Sequence, residues 1–202
     1  MKRAARKLVG VALAVPILLG GFAIPADAAV LPAPPSSANG KTPSQIDKTF
    51  ASVRAKHPFL GAASGSVIWY SMGAVKTYKG GAIVWSIWFG TKIITSAGMR
   101  DAYLRLGGPD GIGLPTSAET KLKGGTIQSF TIGDLYWSPK GGAHMVASEI
   151  PWKGLGGVKG RLGYPTSDKI NNGANRWFQK FEGGMIYTDW FARSPYKIVY
   201  KK

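Results

Sequence analysis

The chain has 202 residues, a net charge of +16 and no cysteine. The lack of cysteine excludes disulfide bonds, thiol catalysis and thiolate metal sites, so the fold must be stabilised by burial alone. A chain of this length can build a core large enough for that purpose, and its 28 glycines, about twice the usual share, predict many tight turns.

Residues 1–28 have the organisation of a secretion signal. A basic start precedes the apolar stretch Leu8–Ile24, and Ala26-Asp27-Ala28 has the small-x-small pattern of a cleavage site. An uncleaved membrane anchor is the alternative. Seventeen residues interrupted by Pro16 and by Gly20-Gly21 are marginal for a membrane span, so we expect export with cleavage. The basic residues at the start are Lys2, Arg3, Arg6 and Lys7.

Cleavage after residue 28 removes four bases and one acid, which lowers the net charge from +16 to +13. A strongly basic surface attracts polyanions such as phosphorylated wall polymers and anionic lipid. We expect no nucleic-acid partner, because the protein is exported and its bases are scattered rather than gathered in an arm or a recognition helix. The alternative is that the charge only keeps the protein soluble. No later stretch is long and apolar enough to cross a membrane.

Residues 29–41 are rich in proline, serine and alanine, and this composition predicts an extended linker. A first helix is predicted to begin after Thr42. This threonine is placed as N-cap, with Pro43 at the first helical position and Gln45 completing a capping box. The buried stripe of this helix is expected at Ile46, Phe50 and Val53.

Two more helical segments are predicted further along the chain. Ser96 precedes a second helix that ends at Gly107-Gly108-Pro109, and its apolar residues at helical spacing are Met99, Tyr103 and Leu106. A third segment around Ile150 to Leu155 is interrupted by Pro151 and Gly154, so we expect one or two turns there at most.

Strand-like runs follow each helix and are separated by glycine turns, so each group predicts a small antiparallel sheet of two to four strands. A unit of this size cannot bury its hydrophobic face alone, so the units must pack on one another. The predicted strands are Val67–Met72, Ala74–Lys79, Ala82–Trp88 and Lys92–Thr95; then Thr126–Thr131, Asp134–Ser138 and His144–Ala147; then Asn175–Glu182, Met185–Thr188 and Tyr196–Lys201.

The three groups share a residue pattern that recurs every 50 to 52 residues. A shared period with matched residue types predicts a repeat architecture. The aligned positions are Gly61, Gly113 and Gly163; Tyr78, Phe130 and Phe181; Gly81, Gly133 and Gly184; and Ile83, Leu135 and Ile186. Glycine tolerates positive φ and proline has a fixed φ. On that ground, the residues expected to be structural in the turns are Gly113, Pro115, Gly163, Pro165 and Gly184.

The motif LGxPTS, followed after a turn by RW-x-x-FEGG-x-IY, resembles the LGFP repeat of actinobacterial cell-wall-associated proteins. The third copy matches nearly throughout. The second keeps GLPTS and LYWSPKGGA but has Thr131-Ile132-Gly133 in place of Glu-Gly-Gly, and the first lacks the proline. The resemblance spans residues 46–202 and implies a non-catalytic, envelope-associated module that is often linked to wall polysaccharide.

The sequence therefore predicts a mainly β fold with short helices, of the α+β class. Three pseudo-symmetric repeats of helix, Gly-Pro turn and small antiparallel sheet are expected to form one LGFP-like domain over residues 42–202. The repeats would cover about 42–94, 95–147 and 148–202. A propeller-like ring is one arrangement of such repeats, and the sequence leaves open whether the ring closes.

Few residues could carry catalysis. The two histidines lack a nearby acidic cluster and make a poor metal site. A set of Ser64, His144 and Asp134 lacks the spacing of a nucleophile elbow. A glycosidase needs two facing carboxylates, and Asp168 and Glu182 could approach one another. Glu182 is, however, better placed to accept hydrogen bonds from the hairpin backbone or from Arg176. We expect no enzyme, no metal and no cofactor.

Tryptophan and tyrosine recur near the same two places in the repeats. Because neighbours along a half-buried strand point to opposite faces, one residue of Tyr136-Trp137 and one of Val84-Trp85 should face outward. An outward ring beside polar residues suits a sugar, which needs a flat apolar platform and a few directed hydrogen bonds. Core filling is the alternative and is favoured for Phe130, Phe181 and Trp177. The candidate glycan-binding residues are Trp137, Tyr136, Tyr187, Tyr164, Trp85, Trp190, Arg176 and Asp168.

We therefore expect a secreted, cell-wall-associated, non-catalytic protein that binds wall polysaccharide of the arabinogalactan or peptidoglycan type for anchoring or wall integrity. One alternative is an envelope-acting hydrolase or acyl transferase. The resemblance argues against it, because LGFP repeats usually accompany a separate catalytic domain. The other is a cationic secreted effector that binds anionic lipid, whose attraction would be abolished by salt.

Overall fold

The computed structural model describes residues 41–147, 150–173, 176–189 and 195–202. The predicted secretion signal and the linker up to residue 40 lie outside the described residues. All described residues belong to one compact unit, Leu31–Lys202. None of the helices in the described ranges combines the length and the hydropathy that a membrane crossing requires.

The helices begin where the sequence signals predict. Thr42 caps the first helix with a capping box, since its Oγ1 accepts the Gln45 N–H at 3.3 Å while the Gln45 side chain accepts the Thr42 N–H at 2.7 Å. Ser96 caps the second, accepting the Met99 N–H at 3.2 Å. The third segment is a single 3-10 helix with a short continuation. The helices are α1 (Pro43–Lys56), α2 (Ala97–Arg105) and α3 (Gly108–Gly111), and the 3-10 helices are Pro58–Leu60, Pro151–Leu155 and Gly157–Lys159.

Twelve strands in the described residues form three four-stranded antiparallel sheets, each joined in chain order, so that the predicted mainly β character is confirmed. Each sheet keeps two edges, and the described strands close no barrel. The first sheet has β1 (Ile68–Tyr70), β2 (Gly73–Tyr78), β3 (Gly81–Ser86) and β4 (Gly90–Ile94). The second has β5 (Thr120–Leu122), β6 (Gly125–Ser129), β7 (Gly133–Ser138) and β8 (Gly142–Ala147). The third has β9 (Ile170–Asn171), β10 (Arg176–Phe181), β11 (Gly184–Asp189) and β12 (Tyr196–Tyr200).

The sequence did not predict the short strands β5 and β9. Both are only two or three residues long, and their side chains are mostly exposed, so neither shows the alternation that marks a half-buried strand. Each is held by pairing with the long strand that follows it. The predicted strand Ala82–Trp88 is also shorter than expected, because β3 ends at Ser86 and the next three residues form the hairpin tip.

Three buried clusters follow the chain, with a helical segment between successive sheets. The first joins α1 to one face of the first sheet. The second joins the opposite face of that sheet to α2 and the second sheet. The third joins the second sheet, the 3-10 helix Pro151–Leu155 and the third sheet. The layers therefore run from α1 through alternating sheets and helical segments to the third sheet.

Trp152 shows how a helical segment links two sheets. Its indole makes an edge contact with Tyr136 of the second sheet at 4.8 Å and a stacked contact with Phe181 of the third sheet at 5.5 Å. Its Nε1 donates to the Gly163 carbonyl at 3.1 Å, which satisfies the one polar group of the ring. Truncation of a buried ring of this size typically costs about 3–5 kcal/mol, so this side chain is central to the contact between the second and third sheets.

The first sheet is buried on both faces, and this corrects one expectation. Trp85 lies in the cluster with α1 and Val84 in the cluster with α2, and they are 5% and 1% exposed. The prediction that one of these two residues faces solvent is wrong, because helices cover both faces of the sheet. The predicted core role of Phe130, Phe181 and Trp177 is confirmed by their burial.

Glycine turns connect the helical segments to the sheets. Gly113 and Gly163 have φ values of +84° and +67°, a conformation that side-chain-bearing residues avoid. The next part of each turn joins its sheet through one isolated bridge; these are Ala63–Tyr78, Pro115–Phe130 and Pro165–Phe181. Gly184 acts differently, since it lies at the start of β11, where a Cβ would sit 2.2 Å from the Val199 carbonyl oxygen.

Side chains from the following part of the chain close the outer edges of the first two sheets. An edge strand carries backbone groups with no strand partner. Gln128 Nε2 donates to the Ile93 carbonyl of β4 at 3.0 Å, and Gln179 Nε2 donates to the Met145 carbonyl of β8 at 2.7 Å. Both glutamines are fully buried, and each also donates to a serine carbonyl of its own turn. These amides tie each sheet to the turn that comes after it.

Candidate functional site

The third sheet has one face that none of the helical segments in the described residues covers. Its inner face carries Trp177, Phe181 and Ile186, which are buried in the third cluster. Because side chains alternate along a strand, the residues between them form the opposite face, here called the outer face. The outer face consists of Ile170, Arg176, Phe178, Lys180, Met185, Tyr187, Lys197 and Val199, all of them partly or fully exposed.

Corresponding faces of the other two sheets are covered. Val84 in the first sheet and Tyr136 in the second sheet correspond to Tyr187 in the third sheet. Each of the three directly follows the aligned apolar residue of its central strand. Val84 is buried against α2, and Tyr136 is buried against the 3-10 helix Pro151–Leu155. Tyr187 is half-buried, and Val199 at the sheet edge is 38% exposed. The outer face therefore has the residue pattern of an interface without its covering segment.

An aromatic pair lies at the centre of the outer face. Phe178 and Tyr187 are cross-strand partners in β10 and β11, and their ring centroids are 5.8 Å apart. The Tyr187 hydroxyl lies 3.5 Å from the Met185 sulfur, and the Lys180 ammonium lies 5.9 Å from the Phe178 ring centre. Two adjacent rings with an amine at their border give an apolar platform with polar groups beside it.

The charge on the outer face is positive. Three of its exposed side chains, Arg176, Lys180 and Lys197, are cations, and the strand register places one acidic position, Asp189, on the same face. Such a surface favours a ligand with carboxylate, phosphate or many hydroxyl groups over a cationic one. Arg176 stands opposite Asp189 in the register of β10 and β11.

Three of the aromatic residues predicted to bind glycan are core residues. Trp85 and Tyr136 are packed as described above, and Tyr164 is 6% exposed. The Tyr164 hydroxyl donates to the Lys123 carbonyl at 3.0 Å, which fastens the third turn to the β5–β6 hairpin, and burial raises its pKa. Rings in these positions offer no free surface for a sugar, because their faces are already in contact with protein.

The remaining predicted aromatic residues differ in position. Tyr187 lies on the outer face. Trp137 is half-buried in the second sheet, with its indole against α2, where a Cβ on Gly98 would lie 3.3 Å from its Nε1. Trp190 lies outside the described residues. Tyr187 is thus the aromatic candidate that the structure places beside exposed cations, together with the candidate Arg176.

Asp168 holds the third turn to the second sheet. Its carboxylate pairs with the Arg105 guanidinium of α2, accepts the Met145 N–H at 3.0 Å and lies 3.4 Å from His144 Nδ1. Burial raises the pKa of this carboxyl, but the nearby His144 ring and the hydrogen bonds from Arg105 and the Met145 backbone outweigh burial and lower it below its usual range. Because its carboxylate makes these contacts, Asp168 connects the third turn to α2 and the second sheet, and it does not contribute to the outer face.

Glu182 has a structural contact as well. Its Oε2 accepts the Tyr164 N–H at 3.1 Å, just after the positive-φ Gly163. In the second sheet Thr131 stands in the same place and its Oγ1 accepts the Leu114 N–H at 3.2 Å. Glu182 thus accepts a backbone hydrogen bond, but from Tyr164 of the turn and not from the hairpin as expected. Threonine can replace it because a hydroxyl also accepts this bond.

The sequence missed several residues of the outer face. Phe178, Lys180 and Lys197 were not singled out, although the hairpin signal at Glu182-Gly183-Gly184 fixes the pairing of the two strands beside it. Extending strand alternation from Tyr187 across that hairpin would have found Phe178 as its partner. No such local signal shows that this face lies away from the described helices, because that depends on the packing order of the three sheets.

Residues 112–160 match the family model of the LGFP repeat. The matched span begins at the second turn, contains the second sheet and ends after the 3-10 helices that cover its second face. No curated protein matches the chain. The chain carries an LGFP repeat at residues 112–160, and the family resemblance predicted from the sequence is confirmed over these residues.

Proposed function

We propose that this protein is exported and binds polysaccharide of the cell wall, of the arabinogalactan or peptidoglycan type, without catalysing a reaction. Binding through the outer face of the third sheet would anchor the protein or help to maintain the wall. The LGFP match supports the envelope context by way of the family resemblance. The observation that carries the proposal is the aromatic pair Phe178–Tyr187, partly exposed and bordered by cations.

The chemistry of the outer face suits a sugar chain. The C–H faces of pyranose and furanose rings pack on aromatic rings, and their hydroxyls accept hydrogen bonds from ammonium and guanidinium groups. Tyr187 supplies a ring and a hydroxyl, and Lys180 and Lys197 supply donors beside the pair. An extended sheet face also matches a linear polymer better than a single small molecule, because neighbouring residues can bind successive sugars.

We further propose that the three sheets with their turns are three copies of one repeat, stacked in an open order. Support comes from the matching turn bridges and from the two glutamines that close β4 and β8. Within the described residues, none of the three buried clusters joins the third sheet to α1. An open stack explains this better than a propeller-like ring and leaves the outer face of the last sheet free for a ligand.

The test compares variants of residues 29–202 for binding to insoluble cell wall. All three buried clusters are built from residues after 45, so a chain that begins at Ala29 retains them. The double variant Phe178→Ser/Tyr187→Ser should bind about tenfold or more weakly, because two ring contacts of about 0.5–1.5 kcal/mol each are lost.

Two controls make the result specific. Phe59→Ser removes a more exposed ring, from the 3-10 helix Pro58–Leu60 beside the first sheet, and should leave wall binding unchanged. Lys180→Gln/Lys197→Gln should weaken binding chiefly at low salt, since charge attraction is screened at high salt. Thermal unfolding of each variant checks that the fold is kept. Wall binding of the folded aromatic double variant at the parent level would refute the assignment of the outer face.

A further inference from the structure

The hairpin tip between β3 and β4 exposes three consecutive apolar side chains. Ile87, Trp88 and Phe89 are 38%, 60% and 38% exposed, and Trp88 has the largest exposed fraction of the large hydrophobic residues in the described part of the chain. Isolated exposed apolar residues are common on protein surfaces, but a contiguous group of them marks an interaction site. These three residues are called the apolar tip.

The second sheet contains the same hairpin with a different tip. In the first sheet the Phe89 N–H donates to Ser86 Oγ at 3.1 Å, and in the second the Gly141 N–H donates to Ser138 Oγ at 2.9 Å. Both loops have three residues between paired strand ends, and both end at a glycine with positive φ. The tip of the second sheet, however, reads Pro139-Lys140-Gly141.

The two hairpins show which residues form the turn and which are not required for it. The serine cap and the terminal glycine are common to the two hairpins, so they are sufficient for the geometry. The apolar side chains are not needed for the turn, since a proline, a lysine and a glycine form the same turn in the second sheet. Exposing these side chains to water costs free energy in proportion to their exposed apolar area. Their presence therefore points to something that covers them.

We propose that the apolar tip inserts into the interfacial layer of a lipid bilayer. Tryptophan and other aromatic residues favour this layer, where the ring is buried and its N–H stays near polar headgroups. A bilayer needs no matched surface, whereas a stable protein interface buries about 800 Å² on each partner, far more than three side chains at one hairpin offer. The charge of +13 after residue 28 adds attraction to anionic lipid.

The apolar tip is separate from the proposed glycan-binding face. The tip belongs to the first sheet, while the outer face belongs to the third sheet at the other end of the layer order. The inference therefore does not depend on the proposed polysaccharide binding, and each surface can be changed without altering the other. A protein with both would bind wall polymer through one end and lipid through the other.

The test grafts the tip of the second sheet onto the first. The triple variant Ile87→Pro/Trp88→Lys/Phe89→Gly keeps the serine cap and the terminal glycine of a hairpin that the same fold already contains. Partitioning of residues 29–202 onto vesicles of phosphatidylcholine with phosphatidylglycerol is measured by sedimentation at physiological salt. The graft should lower partitioning about tenfold or more, although it adds a positive charge.

Controls and a depth measurement complete the experiment. Phe59→Ser loses an exposed ring elsewhere and should partition as the parent does. Lipids brominated near the headgroup should quench the parent's fluorescence, and Trp88→Phe should keep the binding but lose most of the quenching. Equal partitioning of the graft and the parent overturns the proposal. So does a graft that retains vesicle binding and loses wall binding, which would make the tip part of a glycan site.

Discussion

Gln179 offers a direct test of how the sheets are joined. Its Nε2 donates to the Met145 carbonyl at 2.7 Å and to the Ser167 carbonyl at 2.8 Å, while its Oε1 has no partner among the described residues. Gln179→Leu leaves two partly buried carbonyls unpaired, at about 1–3 kcal/mol each, but removes one unpaired oxygen of similar cost. The free energy of unfolding should therefore fall by about 1–3 kcal/mol.

Urea denaturation followed by fluorescence measures this change, and the chain provides its own references. Gln128→Leu removes the same two-carbonyl contact from the second sheet and should cost a similar amount. Lys76 is the residue of the first sheet that corresponds to Gln128 and Gln179, and its ammonium lies 3.3 Å from the carboxylate of the exposed Asp47. Lys76→Leu should cost at most about 1 kcal/mol. Unfolding of Gln179→Leu at the parent's urea midpoint would refute the idea that these amides close the sheet edges.

Two further substitutions probe the turns. Asp168→Asn should lower the free energy of unfolding by about 1–3 kcal/mol at pH 7. Because the folded-state pKa of Asp168 is depressed below 3.8, its contribution is present at neutral pH and is lost as pH falls through the folded pKa. The difference in free energy of unfolding between Asp168→Asn and the parent, measured by denaturation, should therefore become smaller toward pH 3. A difference that stays constant with pH would contradict this. Glu182→Thr should stay close to the parent in melting temperature, because Thr131 makes the same bond in the second sheet, whereas Glu182→Ala should lose about 1 kcal/mol. Equal melting temperatures for the two variants would contradict the turn contact.

Local features of the fold could be predicted from the sequence because their causes are local. The cap at Thr42 and the turn at Gly163 depend on residues that lie within a few positions of each other. Strand hairpins such as β10–β11 follow from alternation around glycines. By contrast, the burial of Trp85 and Tyr136 depends on which helix packs against which sheet face. That order is set by tertiary contacts, which residue spacing does not report.

The candidate site shows the same division between local and long-range information. Tyr187 was predicted as a ligand-binding residue from its type and position, and the structure places it on a partly exposed face beside Phe178. Asp168 was predicted for the same role from its polarity, but Arg105 and Met145, far away in sequence, occupy its carboxylate. A polar residue near a turn is equally suited to a ligand or to the joint between two sheets.

Binding of wall polysaccharide through an aromatic surface is the proposal on which the suggested function depends. The most direct measurement is a pull-down of residues 29–202 with insoluble cell wall at low and high salt, with a soluble wall oligosaccharide as competitor. Contacts between rings and sugars resist salt, whereas charge attraction is screened. We expect binding that persists at high salt and is displaced by the oligosaccharide. Binding that disappears with salt and is unaffected by the oligosaccharide would contradict the claim.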